Sequence, residues 1–184
     1  MPKVVDADQR RSELATAAAR VIARDGIDGA SLREVAAEAG WTTGALVHYF
    51  ANKRELLAFT LQSSLDQRRS RHAVRAAMTS CETLRTTLLE ALPTTDENRL
   101  HWIVTLAFAA QAAGDTELAE IQRMAYRGFR SRVASLVDDP DGPAAEREAE
   151  RLIALVDGIA LQALFDPDLW TPRRQIEALE TGLG

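Results

Sequence analysis

Helix-forming segments separated by glycine and proline run along the sequence, and this pattern restricts the chain to helical folds. Ala, Leu, Arg and Glu dominate the segments, and the apolar–polar alternation of β-strands is absent. Glycine and proline recur at spacings that suit helices of about two to seven turns. We therefore predict an all-α fold with about nine helices.

Start and stop signals place these helices along the chain. The first is predicted over residues 8–24, ended by Gly26 in the left-handed conformation. The second begins at a capping box on Ser31, the third is capped by Thr42 or Thr43 and spans residues 44–50, and the fourth begins at the N-cap Asn52. The later helices are predicted over residues 82–92, 96–113, 115–137, 143–165 and 172–179.

Residues 31–50 contain two short helices joined by a turn centred on Gly40, with the spacing of a helix-turn-helix. In that motif the first helix crosses the DNA backbone. The second inserts its N-terminal residues into a major groove about 12 Å wide. The pattern therefore predicts a DNA-binding N-terminal domain.

Small side chains occupy the start of the third helix. Thr42 and Thr43 offer hydroxyl groups to phosphates or bases, and Ala45 offers a methyl contact to thymine. Gly44 costs about 1 kcal/mol in a helix relative to alanine, and a close approach to DNA would explain it. Two apolar residues of this segment are expected to face inward: Leu46 and Phe50.

Charge does not by itself predict DNA binding, because the net charge is −5 and residues 1–62 hold eight basic and eight acidic residues. DNA binding would therefore depend on the positions of a few cations. Lys53 lies in the first turn of the fourth helix, where the helix dipole already favours a phosphate. Arg33, His48 and Tyr49 are expected within reach of the sugar-phosphate chain.

Residues 31–50, followed by Lys53, closely resemble the DNA-binding domain of TetR-family regulators. That pattern has an alanine-glycine turn, a small hydroxyl residue, a glycine, an apolar residue, a His/Tyr-Phe pair and a lysine. Trp41 departs from it, since a small aliphatic residue is usual there. Val47 also departs, since the family commonly has a tyrosine that touches phosphate. The predicted DNA-binding residues are Ser31, Arg33, Trp41, Thr42, Thr43, Gly44, Ala45, His48, Tyr49 and Lys53.

Residues 102–129 and 155–167 resemble the effector-binding and dimerisation domain of the branch that includes the betaine-pathway repressor. The resemblance implies a DNA-binding domain over residues 1–62 and an effector-binding and dimerisation domain over residues 63–184. It also implies a repressor that binds a palindromic operator as a dimer and is released by a small-molecule effector. The predicted effector contacts lie on the helices over residues 96–113 and 115–137, and they are Trp102, Phe108 and Tyr126.

The helix over residues 143–165 is apolar on two sides, and this suggests a homodimer. One stripe would pack within the subunit and the other against a second copy, together with the last helix. Burial of both stripes within one subunit is the alternative. The predicted interface residues are Leu152, Val156, Ile159, Ala163, Ile176 and Leu179.

Several other functions are disfavoured by the sequence. No GxGxxG, P-loop, HExxH or GxSxG motif occurs, and His48, His72 and His101 are the three histidines, so we predict no enzyme, no cofactor and no metal site. Cys81 is the single cysteine and is interpreted as a small buried hydrophobe, with a redox switch as the alternative.

Membrane association is also disfavoured. No apolar run approaches about 18 residues, and the first residues are charged, so a cytoplasmic protein is predicted.

Three further interpretations stay open. His101 and Gln111 are either polar anchors for a ligand or ordinary surface residues. A basic cluster in the fourth helix either touches DNA or forms a solvated face: Arg68, Arg69, Arg71 and Arg75. The alternative to a regulator is a helical adaptor that does not bind an operator.

Overall fold

The computed structural model describes residues 7–72 and 80–183. Within these ranges the regular structure is entirely helical, which confirms the predicted all-α fold. The helices are α1 (Ala7–Gly29), α2 (Leu32–Glu38), α3 (Thr43–Leu46), α4 (Lys53–His72), α5 (Ser80–Ala91), α6 (Asp96–Ala112), α7 (Thr116–Ala134), α8 (Ala145–Phe165) and α9 (Pro172–Leu183).

The predicted end of the first helix at Gly26 is only partly correct. The backbone there has φ 74° and ψ 174°, so Gly26 has the positive φ that glycine adopts without strain but not the ψ of the left-handed cap that we expected. Helical turns then resume as far as Gly29. The consequence is a kinked α1 whose last turn leads directly into the cap of α2.

The described chain divides into two compact units. The first combines the described residues up to Gln67 with Ile103–Ile121, and the second combines Arg68–Trp102 with Gln122–Gly184, within the described ranges. The division at residue 62 predicted from the sequence concerns function and stays a prediction.

The first unit is held by a core to which all four N-terminal helices contribute. Its fully buried side chains include Leu14, Ala18, Val21, Val35, Leu46, Phe50, Leu56, Leu61, Val104 and Phe108. Burying each large apolar side chain contributes about 1.5–3 kcal/mol, so this cluster holds α2 and α3 against α1 and α4.

The second unit has its own core, centred on α8. Its buried side chains include Leu88, Leu92, Trp102, Val133, Leu152, Ile153, Val156, Ile159, Ala160 and Leu179. The carbonyls at the end of α8 accept from Arg99, whose guanidinium lies 3.1 Å from the oxygen of Ala163. A cation at this position complements the negative end of the helix dipole.

Candidate DNA-binding interface

The turn between α2 and α3 is a hydrogen-bonded C-capping motif. Gly40 has φ 71°, a conformation that glycine adopts without strain. Its N–H donates to the carbonyl of Ala37 at 3.1 Å, and the N–H of Trp41 donates to that of Ala36 at 2.8 Å. These two hydrogen bonds form a Schellman motif, so the angle between α2 and α3 is fixed by the backbone itself.

Side-chain caps begin the helices on either side of this turn, as the sequence predicted. The hydroxyl of Ser31 accepts from the N–H of Glu34 at 3.2 Å, and that of Thr42 accepts from the N–H of Ala45 at 3.2 Å. The carboxylate of Glu34 pairs with Arg33. The Glu34 carboxylate therefore pairs with a side chain, whereas in a complete capping box it would accept from the backbone N–H of Ser31.

The third helix is shorter than predicted. Regular α-helix covers Thr43–Leu46, and hydrogen-bonded turns continue to Phe50, whose N–H donates to the carbonyl of Leu46 at 3.1 Å. Leu46 and Phe50 are fully buried in the first core, as predicted. They fix the inner side of this segment.

The opposite side of the segment, which we call the α3 outer face, is exposed. It consists of Thr42, Thr43, Gly44, Val47 and His48. A Cβ built on Gly44 would have the Thr42 hydroxyl at 4.0 Å as its nearest neighbour, so packing within the protein does not require a glycine there. The small side chains of this face are thus presented outward on a rigid support.

The remaining predicted DNA-binding residues surround the α3 outer face with varied exposure. Arg33 has a side chain that is 82% exposed. Ser31, Trp41, Ala45 and Tyr49 are half-buried, and the rings of Trp41 and Tyr49 meet edge to face with centroids 5.5 Å apart.

Lys53 is less free than we expected. Its side chain is half-buried, and its ammonium donates to the carbonyl of Asp28 at 3.0 Å. An ammonium has three donors, so this bond positions the charge and leaves two donors for a phosphate. The helix behind it is capped as predicted, since the side chain of Asn52 accepts from the N–H of Glu55 at 2.9 Å.

Two arginines of α1 that the sequence did not single out adjoin this surface. Arg11 lies 4.6 Å from the ring centroids of both Phe50 and Phe59 and donates to the carbonyl of Tyr49 at 3.1 Å. Arg10 lies 5.2 Å from the ring centroid of Trp41. Their partners are far away in sequence, so no local pattern could have identified them.

A third unforeseen cation follows Lys53. The guanidinium of Arg54 lies 2.9 Å from the Asp115 carboxylate and 2.7 Å from that of Glu117. The pKa of Asp115 lies below its ordinary value, chiefly because the N–H of Leu118 donates to its carboxylate, with Arg54 contributing as well. These contacts fix the start of α4 within the first unit.

The predicted effector residues have unequal access to a ligand. Phe108 is 0% exposed in the first core, so a bound ligand would have no access to its ring. Trp102 is buried in the second unit, and its indole N–H donates to the carbonyl of Ala91 at 2.7 Å. Tyr126 is 38% exposed, and its hydroxyl lies 3.2 Å from the Asp157 carboxylate. Packing therefore accounts for Trp102 and Phe108.

The two polar candidates on α6 also differ. His101 is buried, which corrects the expectation of a surface residue, and Gln111 is exposed. Arg68, Arg69, Arg71, Arg75 and Cys81 lie outside the residues whose side chains the structure describes.

The predicted dimer contacts need a correction. Five of the six residues are buried within the protomer itself: Leu152, Val156, Ile159, Ala163 and Leu179. Their side chains therefore have almost no surface left for a second copy. The two apolar stripes of α8 lie next to each other, because residues adjacent in sequence, such as Leu152 and Ile153, are about 100° apart around a helix. Together they form one broad face that is buried in the protomer. Ile176, in contrast, is exposed.

A different face of α8 is exposed, and we call it the α8 outer face. It consists of Ala154, Gly158, Leu161 and Phe165, at the i, i+4, i+7 and i+11 spacing of one helix side. Phe165 is 73% exposed, and a Cβ on Gly158 would meet no atom within 4 Å. In the described part of the protomer these small and apolar side chains are exposed to solvent.

No cluster of three or more His, Cys, Asp and Glu residues in the described ranges is arranged to hold a metal ion. None of the described helices has the length and hydrophobicity that a transmembrane span requires.

Both parts of the chain match known family models. Residues 14–58 match the model of bacterial regulatory proteins of the tetR family, and residues 80–184 match that of the C-terminal domain of BetI-type transcriptional repressors. The chain is 39% identical over 175 residues to the HTH-type transcriptional regulator PksA of Bacillus subtilis (strain 168), with 91% of this chain and 84% of that relative covered.

Further relatives and solved structures agree. The HTH-type transcriptional regulator BetI of Vibrio atlanticus (strain LGP32) is 29% identical over 188 residues, covering 91% of this chain and 86% of its own. A transcriptional regulator from Rhodococcus sp. Rha1 superposes with a TM-score of 0.85 at 34% identity, covering 95% of this chain and 94% of its own. A regulator from Saccharomonospora viridis, solved in complex with choline, has a TM-score of 0.84 at 21% identity with 95% of each chain covered, and shares the fold.

Proposed function

This chain belongs to the TetR family of bacterial transcriptional regulators, and from that premise we propose a repressor that binds a palindromic operator as a homodimer and leaves it when a small molecule binds. The single observation that carries operator recognition is the α3 outer face. Its small polar side chains stand on a core-anchored segment whose orientation is fixed by the Gly40 turn. A segment held in this way can enter a major groove without rearrangement.

Phosphate contacts would position this face on the duplex. Lys53 is held by the Asp28 carbonyl at the first turn of α4, where the N–H groups of a long helix favour an anion. The other contacts to the DNA backbone would come from Ser31, Arg33, Trp41, His48 and Tyr49. The bases are left to Thr42, Thr43, Gly44 and Ala45.

Dimerisation would use the α8 outer face together with Ile176 of α9. Exposed apolar side chains along one helix side are costly in water, and a twofold axis covers the same surface on both copies. Binding to successive major-groove faces would require the two α3 segments of the dimer to lie about 34 Å apart or at a multiple of that distance.

The effector would bind to the second unit, in the part of α7 from Gln122 to Ala134. The Saccharomonospora viridis regulator of the same fold was solved with choline, a small organic molecule. Tyr126 is retained here as a candidate contact, because its ring is exposed on α7. Thermodynamic linkage requires that an effector which weakens operator binding is itself bound more weakly in the presence of the operator, by the same factor.

Selection of genomic fragments by the purified protein tests the proposal. We expect recovery of palindromic promoter fragments, with affinity falling steeply as salt rises. A regulator that acts on DNA works in the cytoplasm, which is the location we propose. A helical adaptor would instead show no preference for any fragment, and that outcome would exclude operator binding.

A further inference from the structure

Arg10 of α1 lies beside the α3 outer face although the sequence pattern gave it no role. We infer that Arg10, held over the ring of Trp41, is a further phosphate-binding residue of the operator interface; this inference rests on the proposed operator binding. The guanidinium carbon is 5.2 Å from the centroid of the indole ring. That separation is within the range of a cation–π contact.

Trp41 fixes this arrangement at the edge of the α3 outer face. Its N–H completes the Gly40 turn, its ring packs on the first core, and the ring edge meets Tyr49 at 5.5 Å. The next residue, Thr42, is the exposed cap of α3. A cation on the Trp41 ring therefore stands beside the segment that enters the groove, where the sugar-phosphate chain must pass.

Among the described residues, the remaining contact of Arg10 does not explain it as a structural residue. Its guanidinium pairs with Glu13 at 3.1 Å, and both side chains are more than a third exposed. Exposed pairs of this kind stabilise a fold very little. The neighbouring Arg11 is different, since it donates to the Tyr49 carbonyl and lies over two phenylalanine rings. Of the two arginines, Arg11 holds the fold and Arg10 remains able to bind a ligand.

The partner of Arg10 is identified by chemistry as a DNA phosphate. A planar guanidinium offers paired donors to phosphate oxygens, and the aromatic ring beneath it keeps that plane in place before DNA arrives. Val47, in the middle of the α3 outer face, has no polar side-chain atom and cannot supply this contact. Phosphate binding by Arg10 would compete with the Glu13 carboxylate for the same donors.

The test compares Arg10→Ala with Arg20→Ala, which removes the same charge from an exposed position of α1 about 15 Å further along the helix. Both variants are titrated with a fragment that the unmodified protein selects from the genome. Arg10→Ala should weaken binding roughly tenfold, as loss of one charge-assisted hydrogen bond does. The slope of log affinity against log salt should fall by about one unit. Arg20→Ala should leave both values near those of the unmodified protein.

A second variant tests the role of the ring. Trp41→Leu should weaken binding about threefold through loss of the cation–π contact. This threefold loss should disappear when Trp41→Leu is introduced into a protein that already carries Arg10→Ala. Equal binding by Arg10→Ala and Arg20→Ala would overturn the inference, and so would a Trp41→Leu effect independent of Arg10. Failure of the unmodified protein to bind any fragment would instead overturn the proposed operator binding and this inference with it.

Discussion

The α3 outer face and the α8 outer face are both helix surfaces that the protomer leaves uncovered, yet their chemistry is opposite. The first presents two hydroxyl groups, a glycine, an imidazole and a single valine, with Arg10 and Lys53 at its edges. The second presents alanine, glycine, leucine and phenylalanine. Each face is supported by a densely packed inner side, which is Leu46 and Phe50 for α3 and the Leu152–Ile159 side for α8.

This difference indicates which kind of partner each face fits. Polar, hydrated surface near cations suits a polyanion, whose phosphates supply most of the binding free energy. Apolar surface suits a second protein surface, because burying it releases water from both sides. A regulator needs both partners at once, so it cannot use one surface chemistry for the two tasks.

The largest expected effect separates the inner side of α8 from its outer face. Ile159 is 4% exposed in the second core, so Ile159→Glu places an unpaired carboxylate among apolar side chains. Such burial costs several kcal/mol, a large share of the stability of a small protein. Thermal and urea unfolding should show a largely unfolded chain, whereas Ile159→Val should lose only about 0.5–1.5 kcal/mol. A folded, monomeric Ile159→Glu protein would show that Ile159 faces the partner after all.

The next effect concerns the partner of the α8 outer face. Phe165→Glu changes a side chain that is 73% exposed, so the protomer should keep its unfolding midpoint when measured as a monomer. The proposed dimer should dissociate, because the same carboxylate would be buried at the twofold interface. Sedimentation equilibrium measures this. Met124→Glu is the matched control, since Met124 is 60% exposed on α7, and it should leave the dimer intact.

A smaller effect is expected at the edge of the α3 outer face. Lys53→Ala should weaken operator binding by about 1.5 kcal/mol and lower the salt slope by about one unit. Stability should fall by no more than about 1 kcal/mol, from loss of the hydrogen bond to the Asp28 carbonyl. Fluorescence anisotropy at several salt concentrations gives both quantities. Lys53→Arg should retain the slope; an unchanged slope in Lys53→Ala would remove this residue from the interface.

The smallest expected effect has opposite signs for folding and for binding. A Cβ on Gly44 has room in the free protein, so Gly44→Ala should raise stability by up to about 1 kcal/mol through helix propensity. The added methyl group should weaken operator binding if the α3 outer face lies close to the bases. Denaturant unfolding and operator titration of one preparation measure both. A variant that gains stability and binds with unchanged affinity would contradict a close approach at Gly44.

Local signals made the N-terminal surface predictable from the sequence. The caps on Ser31, Thr42 and Asn52 and the turn at Gly40 each depend on residues a few positions apart, and the structure confirms all four. The place of Arg10 over Trp41 depends on tertiary packing, which no local pattern contains.

The α8 surface was less predictable for the same reason. Its sequence shows which residues are apolar, but a helix with a broad apolar surface does not specify which part its own neighbours cover. The structure assigns Leu152 and Ile159 to the protomer and leaves Phe165 exposed. Exposure of Tyr126 and burial of Phe108 were likewise set by packing partners distant in sequence.

The discontinuous first unit has a consequence for building hybrid regulators. Its core is closed by Val104, Phe108 and Leu118, which come from a later part of the chain than the helix-turn-helix. If residues 1–62 alone were transferred to a relative, they would pack against the recipient's side chains and not against their own partners Val104, Phe108 and Leu118. The transferable DNA-binding module is therefore a pair of segments, residues 7–67 and 103–121, and engineers who wish to exchange operator specificity between relatives need to move or rematch both.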